Sequence, residues 1–261
     1  MKKAVFFDID GTLWDNRMQI PKSTVTSIKR LRENGHYAFL CSGRSRAAIQ
    51  AEELLLGIGF DGILAACGTH VEYQGKLIYE RNLSEKELDE LFSIFQTYRL
   101  PVVLEGKHCL YADMEDFEGN VYISNLKKSL GEGFQSLSAN AGNYTVNKVT
   151  GYFKDGDYEK MKEELSVNYD LIFHSTKVFE IIPKGFSKAS GIQKICEYLK
   201  IRREDTYAFG DSSNDLEMLQ YAGYGISMGN GTIEAKRAAD YVTADIWDDG
   251  IKKGLQQFSL I

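Results

Sequence analysis

The sequence contains little proline, few cysteines and no long apolar run. Only 3 of the 261 residues are proline, which excludes a collagen-like chain and a proline-rich spacer. The 4 cysteines show no C-x-x-C spacing, so neither a zinc knuckle nor a disulfide framework is predicted, and free thiols suit a reducing compartment. No segment approaches the ~18 uninterrupted apolar residues of a membrane span, and the apolar run near the N-terminus is too short for a signal peptide. We therefore expect a soluble, cytoplasmic protein.

Positive charge is also scarce. The 31 lysines and arginines are outnumbered by 37 aspartates and glutamates, which gives a net charge of -6. The basic residues form no dense block, so nucleic acid is not an expected partner. By contrast, aromatic residues make up 12% of the chain and hydrophobic residues 43%, which is enough for a buried core and excludes an intrinsically disordered chain. A length of 261 residues fits one large domain or two unequal ones.

Short apolar runs alternate with helical patterns toward both ends of the chain. The runs at residues 3–8, 36–41 and 206–210 are nearly continuous, as strands covered on both faces require. The segments that follow these runs have apolar residues at the spacing of amphipathic helices. This alternation predicts βαβ units and an α/β fold with a parallel sheet.

The middle of the chain follows a different pattern. Ser84 and Glu87 form the sequence signature of a capping box ahead of an apolar helix stripe, and Asp157 is a candidate N-cap of a second helix. Several short strands surround these helices, and consecutive strand pairs with single helices predict an α+β module with a partly antiparallel sheet. The simplest architecture is a core formed by residues 1–82 and 185–261, interrupted by an inserted module at residues 83–184.

The strongest chemical signal is the segment DIDGT at residues 8–12, at the end of the first apolar run. Ligands of open α/β sheets bind beyond the carboxyl ends of the strands, and a turn at Gly11 allows the carboxylates of Asp8 and Asp10 to converge there. Like charges so close together require a compensating cation, and oxygen-rich sites favour Mg²⁺. The alternative is a pair of solvated aspartates at an ordinary turn.

A second acidic segment, GDSSND at residues 210–215, follows another apolar run. Asp211 and Asp215 have the same relation to a buried strand as the first acidic pair, which points to a shared metal site. The alternative is that Asp211 or Ser213 only caps the following helix. A cap accounts for one acidic residue, whereas this segment contains two.

Two weaker signals have the chemistry of phosphate binding. Ser42, Gly43 and Arg44 follow the second apolar run, where a hydroxyl and backbone N–H groups can face an oxyanion, although Ser-Gly is also common in ordinary loops. Lys188 lies at the start of a helix pattern, where the helix dipole disfavours a cation. A phosphate-facing lysine would explain this position, and a solvated surface lysine is the alternative.

Together the four segments predict phosphoryl chemistry. Mg²⁺, a lysine and backbone donors form a cationic cradle for a phosphoryl group. One free carboxylate can attack phosphorus and form an aspartyl-phosphate. A second carboxylate can move a proton to the leaving oxygen and later take one from water.

In their order and spacing, the four segments resemble the motifs of the haloacid dehalogenase superfamily. The segments GISMGNG at 225–231 and AADYV at 238–242 are similar to the C-terminal part of its Cof-type hydrolases. The resemblance implies a Rossmann-like core and a C2B-type α+β cap inserted between the second and third motifs. It further implies a Mg²⁺-dependent phosphatase that acts on a small phosphorylated metabolite, such as a sugar phosphate. We expect a monomer or weak dimer with no nucleic-acid or membrane partner.

Carried over motif by motif, the resemblance implies a role for each site residue. Asp8 is implied as the nucleophile and a metal ligand, and Asp10 as the general acid/base whose backbone carbonyl also binds the metal. Asp211 is implied as a metal ligand, with Asp215 either a further ligand or a support behind the ligands. The implied phosphate- and substrate-binding residues are Ser42, Gly43, Arg44, Lys188 and Asn214.

One segment departs from the family pattern, and two other functions stay open. Cof-type chains often have Asn-Gly-Ala after the third core strand, whereas residues 67–70 are CGTH, so His70 either replaces a lost substrate contact or is structural. A sugar-phosphate phosphotransferase or mutase would usually carry a smaller cap between the first two motifs, but only about 30 residues separate Asp10 from Ser42. A non-catalytic phospho-acceptor regulatory protein would gain nothing from an acid/base beside a long-lived acyl-phosphate.

Overall fold

The computed structural model describes residues 2–49, 57–154 and 158–261, so the candidate N-cap Asp157 lies outside the described residues. In chain order the strands are β1 (Ala4–Phe7), β2 (Tyr37–Cys41), β3 (Gly62–Ala65), β4 (His70–Tyr73), β5 (Lys76–Glu80), β6 (Val102–Glu105), β7 (Leu110–Tyr111), β8 (Phe134–Gln135), β9 (Lys148–Tyr152), β10 (Tyr169–Phe173), β11 (Val178–Pro183), β12 (Thr206–Gly210), β13 (Tyr224–Ser227) and β14 (Tyr241–Val242). The helices are α1 (Lys22–Glu33), α2 (Glu85–Tyr98), α3 (Val121–Leu130), α4 (Glu159–Leu165), α5 (Lys188–Leu199), α6 (Leu216–Tyr221), α7 (Ile233–Ala238) and α8 (Gly250–Gln257).

The chain divides into two compact units. The first comprises Met1–Gly43, Ala51–Tyr79 and Ser187–Ile261, and the second comprises Arg44–Gln50 and Glu80–Phe186. The sheet of the first unit has the strand order β14-β13-β12-β1-β2-β3-β4-β5. Strands β14 to β3 in this order run parallel to their neighbours, and β4 is antiparallel to β3. The predicted α/β fold with a parallel sheet is confirmed.

Strand β1 shows why its apolar run is continuous. All four of its residues are buried. Phe6 stacks on Phe39 with ring centroids 5.1 Å apart, whereas Phe7 stacks on Phe209 at 5.2 Å. Because successive strand residues point to opposite faces, these two stacks cover both faces of the sheet. Burial of each phenylalanine side chain stabilises the fold by roughly 1.5–3 kcal/mol, so the centre of the sheet is a fixed platform for the loops that follow its strands.

The second unit is built on a separate sheet with the order β10-β11-β9-β6-β7-β8, in which only the short β7–β8 pair is parallel. Residues that alternate along its central strands pack with α2 into an apolar core. Their neighbours on the opposite face include three buried charged residues, Glu105, Lys148 and Glu180. The buried ammonium of Lys148 pairs there with Glu180 and lies 3.4 Å from Glu105 Oε1. The predicted antiparallel strand pairs of the middle segment are confirmed.

Within residues 2–49, 57–154 and 158–261, each helix is either too short or too polar to cross a bilayer.

Candidate active site

The acidic segments follow neighbouring strands of the first sheet. Asp8 comes directly after β1, Ser42 after β2 and Asp211 after β12. Strand β1 pairs in parallel with both β2 and β12. The carboxyl ends of the three strands therefore meet at one edge, which is where open α/β sheets bind ligands.

Lys188 joins the two acidic segments. Its Nζ donates to Asp8 Oδ1 at 2.6 Å and to Asp215 Oδ1 at 2.5 Å. All three side chains are nearly inaccessible to solvent. Helix α5 positions the lysine at its first residue, after the N-cap Ser187, whose hydroxyl accepts from the backbone N–H of Ser190. The unfavourable position of a lysine at this helix end is compensated by two buried carboxylates.

Asp215 also holds the loop that carries Asp211. Its Oδ2 accepts hydrogen bonds from the backbone N–H groups of Asp211 and Ser212, each at 2.9 Å. Ser212 and Asp215 form a reciprocal capping box at the start of a short 3₁₀ turn. The N-cap of this turn is therefore Ser212, and not Asp211 or Ser213 as in the alternative interpretation of the segment.

Asp211 is held from the other side by the first acidic segment. The hydroxyl of Thr12 donates to Asp211 Oδ1 at 3.2 Å. Gly11 has a φ of +83°, and a Cβ at this position would lie 2.2 Å from Asp211 Oδ2. Only glycine permits both the left-handed backbone and this close approach. The turn at Gly11 therefore brings the two acidic loops together.

Three carboxylates converge as a result. Asp8, Asp211 and Asp215 each present an oxygen within 4.8 Å of the others. One ammonium, that of Lys188, balances one of the three negative charges. A divalent cation would balance the remaining two, and carboxylate oxygens are the ligands that hard divalent cations prefer. The donor set therefore fits a divalent metal.

The pKa values reflect the same crowding. Burial, reinforced by the charge of Asp215, raises the pKa of Asp8 well above its ordinary value, although Lys188 opposes the shift. Burial and Asp215 also raise the pKa of Asp211 to about 7. Burial lowers the pKa of Lys188, but Asp215 and Asp8 outweigh it and hold that pKa well above its ordinary value. Lys188 is therefore a permanent cation, and the carboxylates need a second one to stay ionised together.

Asp10 has a different environment from Asp8. It is exposed, and its Oδ1 accepts a hydrogen bond from Trp14 Nε1 at 2.9 Å. Its carboxylate does not belong to the group formed by Asp8, Asp211 and Asp215. Two aspartates separated by one residue thus differ sharply in solvation, which suits them to different chemical tasks.

The remaining predicted residues are distributed as follows. Ser42 is buried, and its backbone N–H donates to Leu64 O at 2.8 Å. Asn214 belongs to the charged cluster, since its Oδ1 lies 3.3 Å from Lys188 Nζ. Gly43 is the last residue of the first segment of the first unit, and Arg44 belongs to the second unit. The roles of these residues in binding stay predictions.

Three polar or aromatic residues contact the site without having been assigned a role from the sequence. Thr12 orients Asp211, Trp14 contacts Asp10, and Asn230 Nδ2 donates to Gly11 O at 2.7 Å. Thr12 and Asn230 lie inside the motifs at residues 8–12 and 225–231, so their motif membership was the sequence signal that could have identified them. His70 is fully buried with its Nε2 2.8 Å from Glu72 Oε1, which supports the structural interpretation of this histidine.

Comparisons with known proteins identify the family to which the chain belongs. The family model of haloacid dehalogenase-like hydrolases matches residues 5–255. A 5-amino-6-(5-phospho-D-ribitylamino)uracil phosphatase of Bacillus subtilis, YitU, is 31% identical over 269 residues, covering 97% of this chain and 96% of its own. The match spans both units, so the relationship is not confined to the four motifs.

Solved structures give the same result. A hypothetical protein from Geobacillus kaustophilus has a TM-score of 0.86 and 30% identity, with both chains covered completely. The sugar phosphatase BT4131, of subclass IIB of the haloacid dehalogenase superfamily, has a TM-score of 0.83 and 28% identity, again over 100% of both chains. The chain therefore belongs to the haloacid dehalogenase-like hydrolase family, as its motifs predicted, and is a phosphatase of that superfamily.

Proposed function

We propose that this protein is a Mg²⁺-dependent phosphatase that hydrolyses small phosphomonoesters through an aspartyl-phosphate. The observation that carries the proposal is the buried ion pair between Asp8 Oδ1 and Lys188 Nζ, 2.6 Å long, at the carboxyl edge of β1. This pair fixes the carboxylate of Asp8 as a nucleophile. The exposed carboxylate of Asp10 in the same turn is available for proton transfer.

In the first step, a carboxylate oxygen of Asp8 forms a bond to phosphorus while the bond between phosphorus and the ester oxygen breaks. Asp10, protonated at this stage, gives its proton to the ester oxygen, which leaves as a neutral alcohol. The product is an aspartyl-phosphate on Asp8. Lys188 and Ser42 stabilise the negative charge of the phosphoryl oxygens during the transfer.

In the second step, a water oxygen attacks phosphorus and the bond from phosphorus to Asp8 breaks. Asp10, now a carboxylate, takes a proton from this water, so both aspartates return to their starting states. Inorganic phosphate is released. A base beside the acyl-phosphate shortens its lifetime, which argues against a phospho-acceptor regulatory role.

The metal would be held by Asp8, Asp211 and the backbone carbonyl of Asp10, with Asp215 either joining them or supporting the loop behind them. When bound, the cation neutralises charge on the nucleophile and on the phosphoryl group. The chain's own contacts prepare the ligands for this task. Thr12 orients Asp211 through a 3.2 Å hydrogen bond, so this carboxylate needs little rearrangement to bind.

Sugar phosphates or related metabolites are the substrates we propose. YitU is named for a phosphorylated ribityl compound and BT4131 is a sugar phosphatase, which supports this class. We assign the chemistry to a core of residues 1–82 and 185–261 and the choice of leaving group to a cap of residues 83–184. Gly43, Arg44 and Asn214 complete the substrate side of the core in this proposal.

Replacement of the nucleophile tests the proposal directly. Asp8→Asn keeps the shape of the side chain but removes the attacking carboxylate, so we expect turnover to fall on the order of 10⁴-fold or more. Asp15→Asn, an aspartate change in the same loop, is the matched control and should retain activity. Phosphate release from a panel of phosphomonoesters is the measurement, with EDTA treatment and Mg²⁺ restoration. Full activity of Asp8→Asn would remove this residue from its role.

The same assay distinguishes hydrolysis from phosphoryl transfer. With a second sugar present as an acceptor, a phosphatase releases inorganic phosphate in proportion to the substrate consumed. A phosphotransferase or mutase would instead yield a new phosphorylated sugar. The latter outcome would replace hydrolysis with transfer while keeping Asp8 as the nucleophile.

A further inference from the structure

Trp14 contacts the residue to which the proposed function assigns proton transfer. Its indole Nε1 donates to Asp10 Oδ1 at 2.9 Å. We propose that Trp14 is a positioning residue that fixes the carboxyl group of Asp10 and makes Oδ2 the oxygen that carries the transferred proton. This inference rests on the proposed function, because it needs Asp10 to act as general acid and base.

The backbone fixes the geometry of this contact. Gly11 N–H donates to Trp14 O at 3.0 Å, and Trp14 N–H donates to Ile9 O at 3.2 Å. Asp10 and Trp14 also form an isolated β-bridge. Donor and acceptor of the side-chain bond therefore belong to one closed turn, and their separation does not depend on distant elements.

The contrast in burial explains why a positioning residue is needed. Asp10 is exposed, so its side chain would sample several rotamers in water, whereas only 4% of Trp14 is accessible. A buried indole cannot reorient easily. Its hydrogen bond selects one orientation of the neighbouring carboxyl, and such prealignment lowers the barrier of a proton transfer.

The chemistry of the indole identifies the oxygen. The Nε1–H group only donates, so the oxygen that faces it, Oδ1, must act as an acceptor in both protonation states of Asp10. The proton of the neutral acid therefore resides on Oδ2. In the first step it moves from Oδ2 to the ester oxygen as the phosphorus–oxygen bond breaks, and in the second step a water proton returns to Oδ2.

A pair of esters that differ in their need for an acid tests this inference. p-Nitrophenyl phosphate releases a weakly basic anion that leaves without a proton, whereas benzyl phosphate, of similar size, releases an alkoxide that needs one. Trp14→Phe keeps an aromatic ring but removes the donor. We expect kcat/KM, which reports formation of the aspartyl-phosphate and not its hydrolysis, to fall about 10- to 100-fold for benzyl phosphate and to change less than about threefold for p-nitrophenyl phosphate.

The control is the other tryptophan. Trp247 Nε1 donates to Asp15 Oδ2 at 3.2 Å, so Trp247→Phe removes an equivalent donor from an aspartate without a proposed role in catalysis. It should leave both rates unchanged. If Trp14→Phe lost activity equally on the two esters, or lost none on benzyl phosphate, the inference about Trp14 would be overturned and the proposed function would stand. A wild-type enzyme inactive on both esters and on the metabolite panel would overturn the proposed function, and this inference with it.

Discussion

Gly11 is the residue at which the two acidic loops come closest. Its left-handed backbone turns the chain immediately after Asp10, and its missing side chain lets the carboxylate of Asp211 lie against it. Asn230 holds the same turn by donating to the carbonyl oxygen of Gly11. A residue without a functional group thus determines how closely Asp211 approaches the first acidic segment.

We expect Gly11→Ala to impair activity much more than stability. The new Cβ would lie 2.2 Å from Asp211 Oδ2 and would push that carboxylate away from Asp8, whereas Gly35→Ala meets nothing within 4 Å at a similar φ of +86°. Both variants should lose roughly 1 kcal/mol through backbone strain. Only Gly11→Ala should lose activity, about 100-fold or more. Thermal unfolding and phosphate release measure the two effects.

Equal activities of the two alanine variants would show that Asp211 moves without consequence. That outcome would contradict the assignment of Asp211 to the metal. Loss of activity in Gly35→Ala would show instead that strain in any turn of this unit disables the enzyme.

The charged residues of the site were predictable because each lies at the end of a recognisable strand or at the start of a recognisable helix. Asp8, Asp211 and Lys188 have positions that elements alone fix: the end of β1, the end of β12 and the start of α5. Trp14 and Asn230 were not predictable in the same way. Their contacts join irregular turns. Asn230 and Gly11 lie 219 positions apart in the chain, and no local periodicity predicts a contact between residues so far apart.

At the scale of elements, α2 shows how a capping box in the sequence determines where a helix begins. Ser84 Oγ accepts from Glu87 N–H at 3.3 Å, and Glu87 Oε2 accepts from Ser84 N–H at 2.8 Å. The predicted capping box is therefore confirmed. The helix then buries Leu88, Leu91 and Phe95 in the core of the second unit, while Phe92 is only partly buried.

We expect Ser84→Ala to destabilise the second unit by about 1 kcal/mol, because two backbone N–H groups at the start of α2 lose their organised partners. The unfolding temperature of that unit should fall by about 2–4 °C. Ser93→Ala removes a hydroxyl from an exposed position of the same helix and should not lower it. Differential scanning calorimetry compares the two. A Ser93→Ala loss as large as that of Ser84→Ala would contradict a specific role of the cap.

Helix α3 was not predicted, and its sequence explains why. Val121 and Tyr122 are 70% and 60% exposed, so two of its apolar residues lie outside the buried face. Only Ile123 and Leu130 are buried, which is too sparse a pattern to indicate a helix. The short strand β8, with two residues, has no readable alternation at all. Elements defined by tertiary contacts rather than by periodicity escape sequence analysis.

At the scale of the whole molecule, the proposed metal would compete with a proton for the carboxylate of Asp211. The pKa of Asp211 is about 7 in the folded protein and 3.8 ordinarily, so between these values the folded metal-free protein binds a proton that the unfolded chain does not. The contribution of Asp211 to the stability of the metal-free protein therefore rises as pH falls from 8 to 5. Metal binding requires the ionised carboxylate and is weakened over the same range.

We expect Mg²⁺ to raise the unfolding temperature clearly at pH 8 and much less at pH 5.5. A concentration of 100 times the dissociation constant stabilises by about 2.7 kcal/mol at the higher pH. Thermal unfolding with and without Mg²⁺ across this range is the measurement. Asp211→Asn should abolish most of the difference between the Mg²⁺-induced rise in unfolding temperature at pH 8 and that at pH 5.5. A Mg²⁺ effect that does not vary with pH would contradict the shifted pKa of Asp211.

Asp8 and its ammonium partner Lys188 are 180 residues apart in the chain. Strand β1 pairs with β2, which is synthesised soon after it, and with β12, which is synthesised only after the whole second unit. A nascent chain therefore contains Asp8 long before the lysine that pairs with it leaves the ribosome. Chains terminated before residue 188 would expose one edge of β1, which invites aggregation, and would lack the ammonium that pairs with Asp8.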